Sequence, residues 1–219
     1  MGFPNVDLIL RDLFLAEFAK AKSDPTAVVA DLFEDRTAGQ QSEIEQFLNS
    51  RIFTGDIRNR DTDKRVFILP HFPAADLPFP QIGIYSGDVE SNDRSLGDYQ
   101  GEPEATEING QTVWSQLFGY WEMSAWNIDV IAATKEETIW LARFCQYFVC
   151  QNFTELGAQG IVEIGISMAD LRMEKGSLQP TQAFIRGIKI HAKVANTWSK
   201  RLEGSGTYAT GDNLSLTGA

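Results

Sequence analysis

Cysteine and histidine are scarce in this chain: two of each in 219 residues. Cys145 and Cys150 stand five apart on one predicted helix, where a wheel of ~100° per residue points their side chains about 140° apart. They are not expected to bond to each other, and both read as small buried hydrophobes with free thiols. His71 and His191 stand at no ligand spacing from them, so a thiolate or imidazole metal centre is not expected. Basic residues are also short, with 19 Lys and Arg against 30 Asp and Glu and a formal net charge of −11. Such a surface repels nucleic acid and anionic membranes. No apolar run is long enough to span a bilayer, and the start, MGFPNVDLILRDLF, lacks the basic opening and cleavage site of a secretory signal. The expectation is a protein made in the cytoplasm that does not bind membranes.

Catalytic signatures are missing too. There is no G-x-S-x-G elbow, P-loop or H-E-x-x-H. The acids of SGDVESND lack the glycine and terminal glutamate of a calcium loop. No catalytic, cofactor or metal residue is assigned, and the expectation is a protein that is not an enzyme.

What is present, at 43% hydrophobic residues, is enough to bury a core. Three helices are expected in the first sixty residues. Asn5 caps DLILRDLFLAEFAKAK, Asp24-Pro25 opens PTAVVADLFED, and Ser42 with Glu45 stands in capping-box register at the head of SEIEQFLNSRIF. Four of the eight prolines fall between Pro70 and Pro80. They separate two short strands, Arg65 to Leu69 and Gln81 to Tyr85, by a rigid turn. Residues 86–112 then carry seven acids, among them Asp88, Glu90 and Asp93, against one base. This is a long polar arm, which Asn109-Gly110 would turn back as a hairpin.

From Val113 a long strand or hairpin runs to Ala132, with Trp126, Ile128, Val130 and Ala132 on one face. Thr134, with Glu137 in capping-box position, opens a helix extending to about Glu155. On its wheel Leu141, Cys145, Phe148 and Val149 form the face for a sheet. Glu136, Trp140, Arg143 and Tyr147 lie opposite, a stripe of the types favoured at protein contacts. Either the N-terminal helices or another subunit must cover that stripe. Two further strands follow. Val162, Ile164, Ile166 and Met168 share a face of the first; in the second, Ile188, Ile190, Ala192 and Val194 alternate with Lys189, His191 and Lys193. The fold class is α+β: a mainly antiparallel sheet packed by one long helix, with an N-terminal helical extension (1–60), a core domain (61–202) carrying the polar arm, and a Gly, Ser and Thr-rich tail (203–219).

The order LPFPQIGIYSGDVE, polar arm, WNIDVIAAT, a helix opened by KEET, and a closing strand IRGIKIHAKVANTW resembles the tail-terminator, or tail-completion, proteins of long-tailed bacteriophages. The likeness runs over roughly Val66 to Trp198. It implies a virion protein of the tail–neck region, assembled in the host cytoplasm as a ring, generally sixfold. The ring caps the tail tube, ends its polymerisation and joins it to the connector of the head. Its partners would be further copies of itself, the tube protein and a neck or connector protein, with DNA met only in passage through an acidic lumen. A closed ring needs two complementary surfaces on each subunit. Candidates are the acidic arm with Asp88, Glu90 and Asp93, the basic face at Lys189 and Lys193, and the stripe Glu136, Trp140, Arg143 and Tyr147. Another neck or head-closure protein, a homo-oligomeric adaptor of another kind, and an enzyme with a polar pocket remain as alternatives.

Overall fold

The computed structural model describes residues 4–58, 64–73, 77–87, 98–99, 104–108, 111–174 and 183–201. Helix α1 (Val6–Ser23) begins where the Asn5 side chain accepts from the Leu8 amide at 3.2 Å, and it buries Leu10, Phe14, Phe18 and Ala21 along one stripe. Asp24 caps α2 (Pro25–Leu32), with proline in the first turn, where its missing N–H costs nothing. Helix α3 (Ala38–Ser50) starts five residues earlier than the Ser42 cap suggests. Thr37 and Gln40 form the reciprocal capping box, and Ser42 and Glu45 lie within the helix. Gly39 was no barrier, since a favourable cap offsets one poor helix former.

The strands are β1 (Ile52–Thr54), β2 (Arg65–Leu69), β3 (Gln81–Ser86), β4 (Asp98–Tyr99), β5 (Glu104–Ile108), β6 (Gln111–Ala132), β7 (Ile161–Met168), β8 (Arg172–Glu174) and β9 (Ala183–Arg201). Between β6 and β7 lie helices α4 (Lys135–Gln151) and α5 (Phe153–Ala158). The described strands form one sheet in the order β1-β2-β3-β6-β9-β7, with β4 and β5 along β6 and β8 along β9. The fold is α+β with a mixed sheet. β1, β2 and β3 run parallel and every other pairing is antiparallel. Because β2 and β3 are parallel, the proline-rich segment between them is a crossover rather than a tight turn.

Helices lie on one face of the sheet. Helix α1 packs over β1 to β3, and α4 packs over β6 and β9. The face they cover is Val66, Ile68, Ile82, Ile84, Trp126, Ile128, Val130, Ile188, Ile190, Ala192 and Val194, all buried as the alternation requires. The first sixty residues contribute to this same core. Phe18 meets Phe148 edge-to-face at 4.9 Å, and Phe33 meets Phe144 at 5.5 Å. On the opposite face Phe67, Leu69 and Leu77 form a small second cluster.

Helix α4 stops at Gln151, where the buried Asn152 side chain donates to the Phe148 carbonyl at 2.8 Å, and residues up to Ala158 form the separate α5. In β7 an extra residue between Val162 and Gly165 breaks the period of two, with Glu163 at φ +52°. Ile161, Ile164, Ile166 and Met168 therefore join the core face, and Val162 is turned away from it. Cys145 is buried, which pushes its thiol far up, but Cys150 is exposed and not the second buried thiol expected.

Two strands are long. β6 and β9 pair without interruption from Ser115↔Arg201 to Ala132↔Phe184. That ladder is about 60 Å long at ~3.4 Å per residue, roughly three times an ordinary strand. On its outer part β5 pairs with β6 on the side away from β9, and Ile108 faces Gln111. Asn109 and Gly110, the expected hairpin turn, lie outside the described residues.

Candidate interaction surfaces

The α4 stripe is largely occupied by the chain's own helices. Trp140 is half-buried and meets Phe47 of α3 edge-to-face at 5.5 Å. Arg143 donates to Asp35 at 3.0 Å and lies 5.4 Å over the Phe33 ring, and in return it holds the Asp35 carboxyl below its ordinary range. Tyr147 is half-buried. Burial raises its pKa, and so do the negative charges of Asp31 on α2 and Glu17 on α1. Trp140 and Arg143 therefore hold the helical layer together instead of standing open to a partner. Glu136, in the first turn of α4, remains exposed.

Glu137 does not complete the capping box expected of it. The Thr134 hydroxyl accepts from the Glu137 amide at 3.2 Å, but the Glu137 carboxylate turns to Arg51 at the end of α3. An arginine presented by another element is the stronger partner for a carboxylate than its own backbone.

Lys189 and Lys193 of β9 are not alike. Lys193 donates to Glu163 at 2.7 Å, so the β7 bulge already supplies its counter-charge. Lys189 stands four residues along, half-buried, directly opposite Asn127 of β6 and Ser167 of β7. It lines a cleft of about 460 Å³ on the helix-free face of the sheet. Asp88, Glu90 and Asp93 lie outside the described residues.

That cleft was not legible in the sequence. Within it the Tyr85 hydroxyl donates to Asp129 Oδ2 at 2.8 Å. Partial burial raises the Tyr85 phenol well above its usual value, and the Asp129 hydrogen bond and charge add to the rise. Tyr85 and Asp129 are brought together only because β3 and β6 pair Tyr85 with Asn127 and Gly83 with Asp129, a diagonal relation across the sheet. No spacing motif announces a contact between residues so far apart in the chain. Among the described residues no three of His, Cys, Asp and Glu converge to hold a metal ion, and no helix is long and apolar enough to cross a membrane.

The chain matches no protein-family model, and no curated protein matches it in sequence.

Proposed function

We propose that this is a structural virion protein of the phage tail–neck junction. In this reading it acts as a tail terminator, a non-enzymatic subunit that closes into a ring, caps the tail tube and meets the head connector. The observation that carries the reading is the β6–β9 ladder. The helix-covered core reaches β6 at Trp126, and β6 runs on back to Gln111, paired with β9 as far as Ser115 and with β5 from Ser115 to Gln111. From Gly119 to Gln111 the ribbon spans roughly 25–30 Å at ~3.4 Å per residue.

In this reading the ribbon is used by lying on another molecule. In a head-to-tail ring that molecule is the next subunit, and the arm of each copy supplies one half of a heterologous contact. Trp121, 42% exposed near the root of the ribbon, is the apolar anchor such a contact would bury. The resemblance of residues 66–198 to tail terminators supports placing such a ring at the end of the tail tube. The net charge of −11 suits a lumen that DNA must traverse without sticking.

Light scattering over a wide concentration range, with electron microscopy of the same fractions, tests the ring. Closed rings that bind isolated tail tubes at one end, and lose their closure in Trp121→Glu, are the expected result. A protein that stays monomeric at every concentration and does not bind tubes overturns the reading. Rings that ignore tail tubes would transfer it to an oligomeric adaptor of another kind.

A further inference from the structure

The cleft on the helix-free face has the build of a small-ligand site. Its floor is a row of directly opposed residues across four strands: Tyr85 on β3, Asn127 on β6, Lys189 on β9 and Ser167 on β7. Next to that row Asp129 faces Gly187, and the missing side chain there deepens the floor. A β-carbon on Gly187 would stand 3.3 Å from Asp129 Oδ1. One wall is Phe72, which is 53% exposed and whose ring centroid lies 5.2 Å from that of Tyr85. Opposite it the chain leaves β7 and passes through Asp170 to Arg172. The volume, about 460 Å³, falls in the range of pockets that hold small organic ligands.

We propose that this cleft binds a neutral saccharide ring. Its charges balance: Asp129 and Asp170 against Lys189 and Arg172. A phosphate, a carboxylate or a bare cation would find as much repulsion as attraction. A neutral ligand rich in hydroxyls finds donors and acceptors all round, with Asn127 and Ser167 able to serve as either. The aromatic wall adds the second requirement. One face of a pyranose carries only C–H groups, which are weakly positive, and an aromatic face is negative, so the ring lies flat on Phe72 with its hydroxyls toward the floor. The Tyr85 hydrogen bond aims the Asp129 carboxylate, leaving little rotamer freedom to lose on binding. This site stands whether or not the chain forms rings.

Saturation-transfer NMR on the full chain, with glucose, galactose, N-acetylglucosamine and rhamnose as millimolar probes, tests the proposal. At least one sugar should receive transfer at its ring protons. Its affinity should fall by about tenfold or more in Phe72→Ala and in Asn127→Ala, the loss expected for one good contact. Phe153→Ala, which removes an exposed aromatic on α5 outside the cleft, should bind as the parent does, and circular dichroism shows that each variant is folded. Transfer to none of the four sugars overturns the proposal. Transfer that survives undiminished in folded Phe72→Ala and Asn127→Ala overturns it too. Binding of inorganic phosphate or free glutamate in place of any sugar refutes the neutral class.

Discussion

Arg51, the residue that closes α3, forms an ion pair with Glu137 in the first turn of α4, and both side chains are mostly shielded, at 19% and 15% exposure. The contact ties the N-terminal helices to the helix that lies on β6 and β9. Arg51 also lies 5.2 Å over the Phe47 ring, whose other neighbour is Trp140. Glu137→Ala should therefore cost about 1.5–3 kcal/mol, as expected for a shielded hydrogen bond between charged groups. Urea unfolding reads the loss, and an unchanged midpoint would show that apolar packing alone holds the helical layer.

Gly83 sits where Pro73 crosses the sheet. A β-carbon there would fall 2.5 Å from Pro73 Cδ and 3.0 Å from the His71 carbonyl, neither of which is the end of a flexible side chain. Gly83→Ala is expected to destabilise by about 1–3 kcal/mol through overpacking. The same push on the crossover should displace Phe72, so thermal melting and sugar binding should suffer together. A normal melting temperature in this variant would mean that the crossover yields freely.

Glu163 holds φ +52° in the β7 bulge, a conformation costly for any residue with a β-carbon and most costly for a β-branched one. Its carboxylate also accepts from Lys193 on an exposed surface, where such pairs contribute little. Glu163→Gly should therefore be neutral or stabilising, by up to about 1 kcal/mol, and Glu163→Val should be destabilising by more than ~1 kcal/mol. Equal stability of the two variants would remove the left-handed backbone as the deciding factor.

Two aspartates should respond to acid in opposite senses. The Arg143 hydrogen bond holds Asp35 below the ordinary 3.8, so its contribution to stability is complete above that value and is lost as pH falls through the lowered folded pKa. Burial raises Asp7, and its Oδ1 is buried without a hydrogen-bond partner among the described residues, so its charged form costs stability near neutrality and acid relieves the cost. Near neutral pH, Asp35→Asn should be less stable than the parent and Asp7→Asn more stable. Both differences should shrink on acidification. Urea midpoints at stepped pH check this, and a constant offset for either variant would dissociate that aspartate from the titration.

Much of the fold could be read directly. The caps at Asn5, Asp24 and Thr134, the strands around Val66 to Ile84, and the alternation of Ile188 to Val194 are local signals, and the structure keeps them. Local signals are ambiguous where two of them compete. Thr37 with Gln40 and Ser42 with Glu45 offer the same capping chemistry, and the helix takes the earlier box and carries Ser42 and Glu45 inside it. The β7 bulge was invisible because Val162, Ile164 and Ile166 also satisfy a regular strand, until pairing with β9 demands one extra residue.

By itself the sequence determined the polarity of each face, the helix starts set by caps and proline, and an acidic surface, because these depend on neighbours a few residues away. Tertiary structure alone decided what covers α4. Trp140 and Arg143 look equally suited to a partner subunit, and Phe47 and Asp35 of the same chain take them. It alone built the cleft as well. Tyr85, Asn127, Lys189 and Ser167 share a row only through strand register, and register depends on how distant segments share a core, which no local pattern encodes.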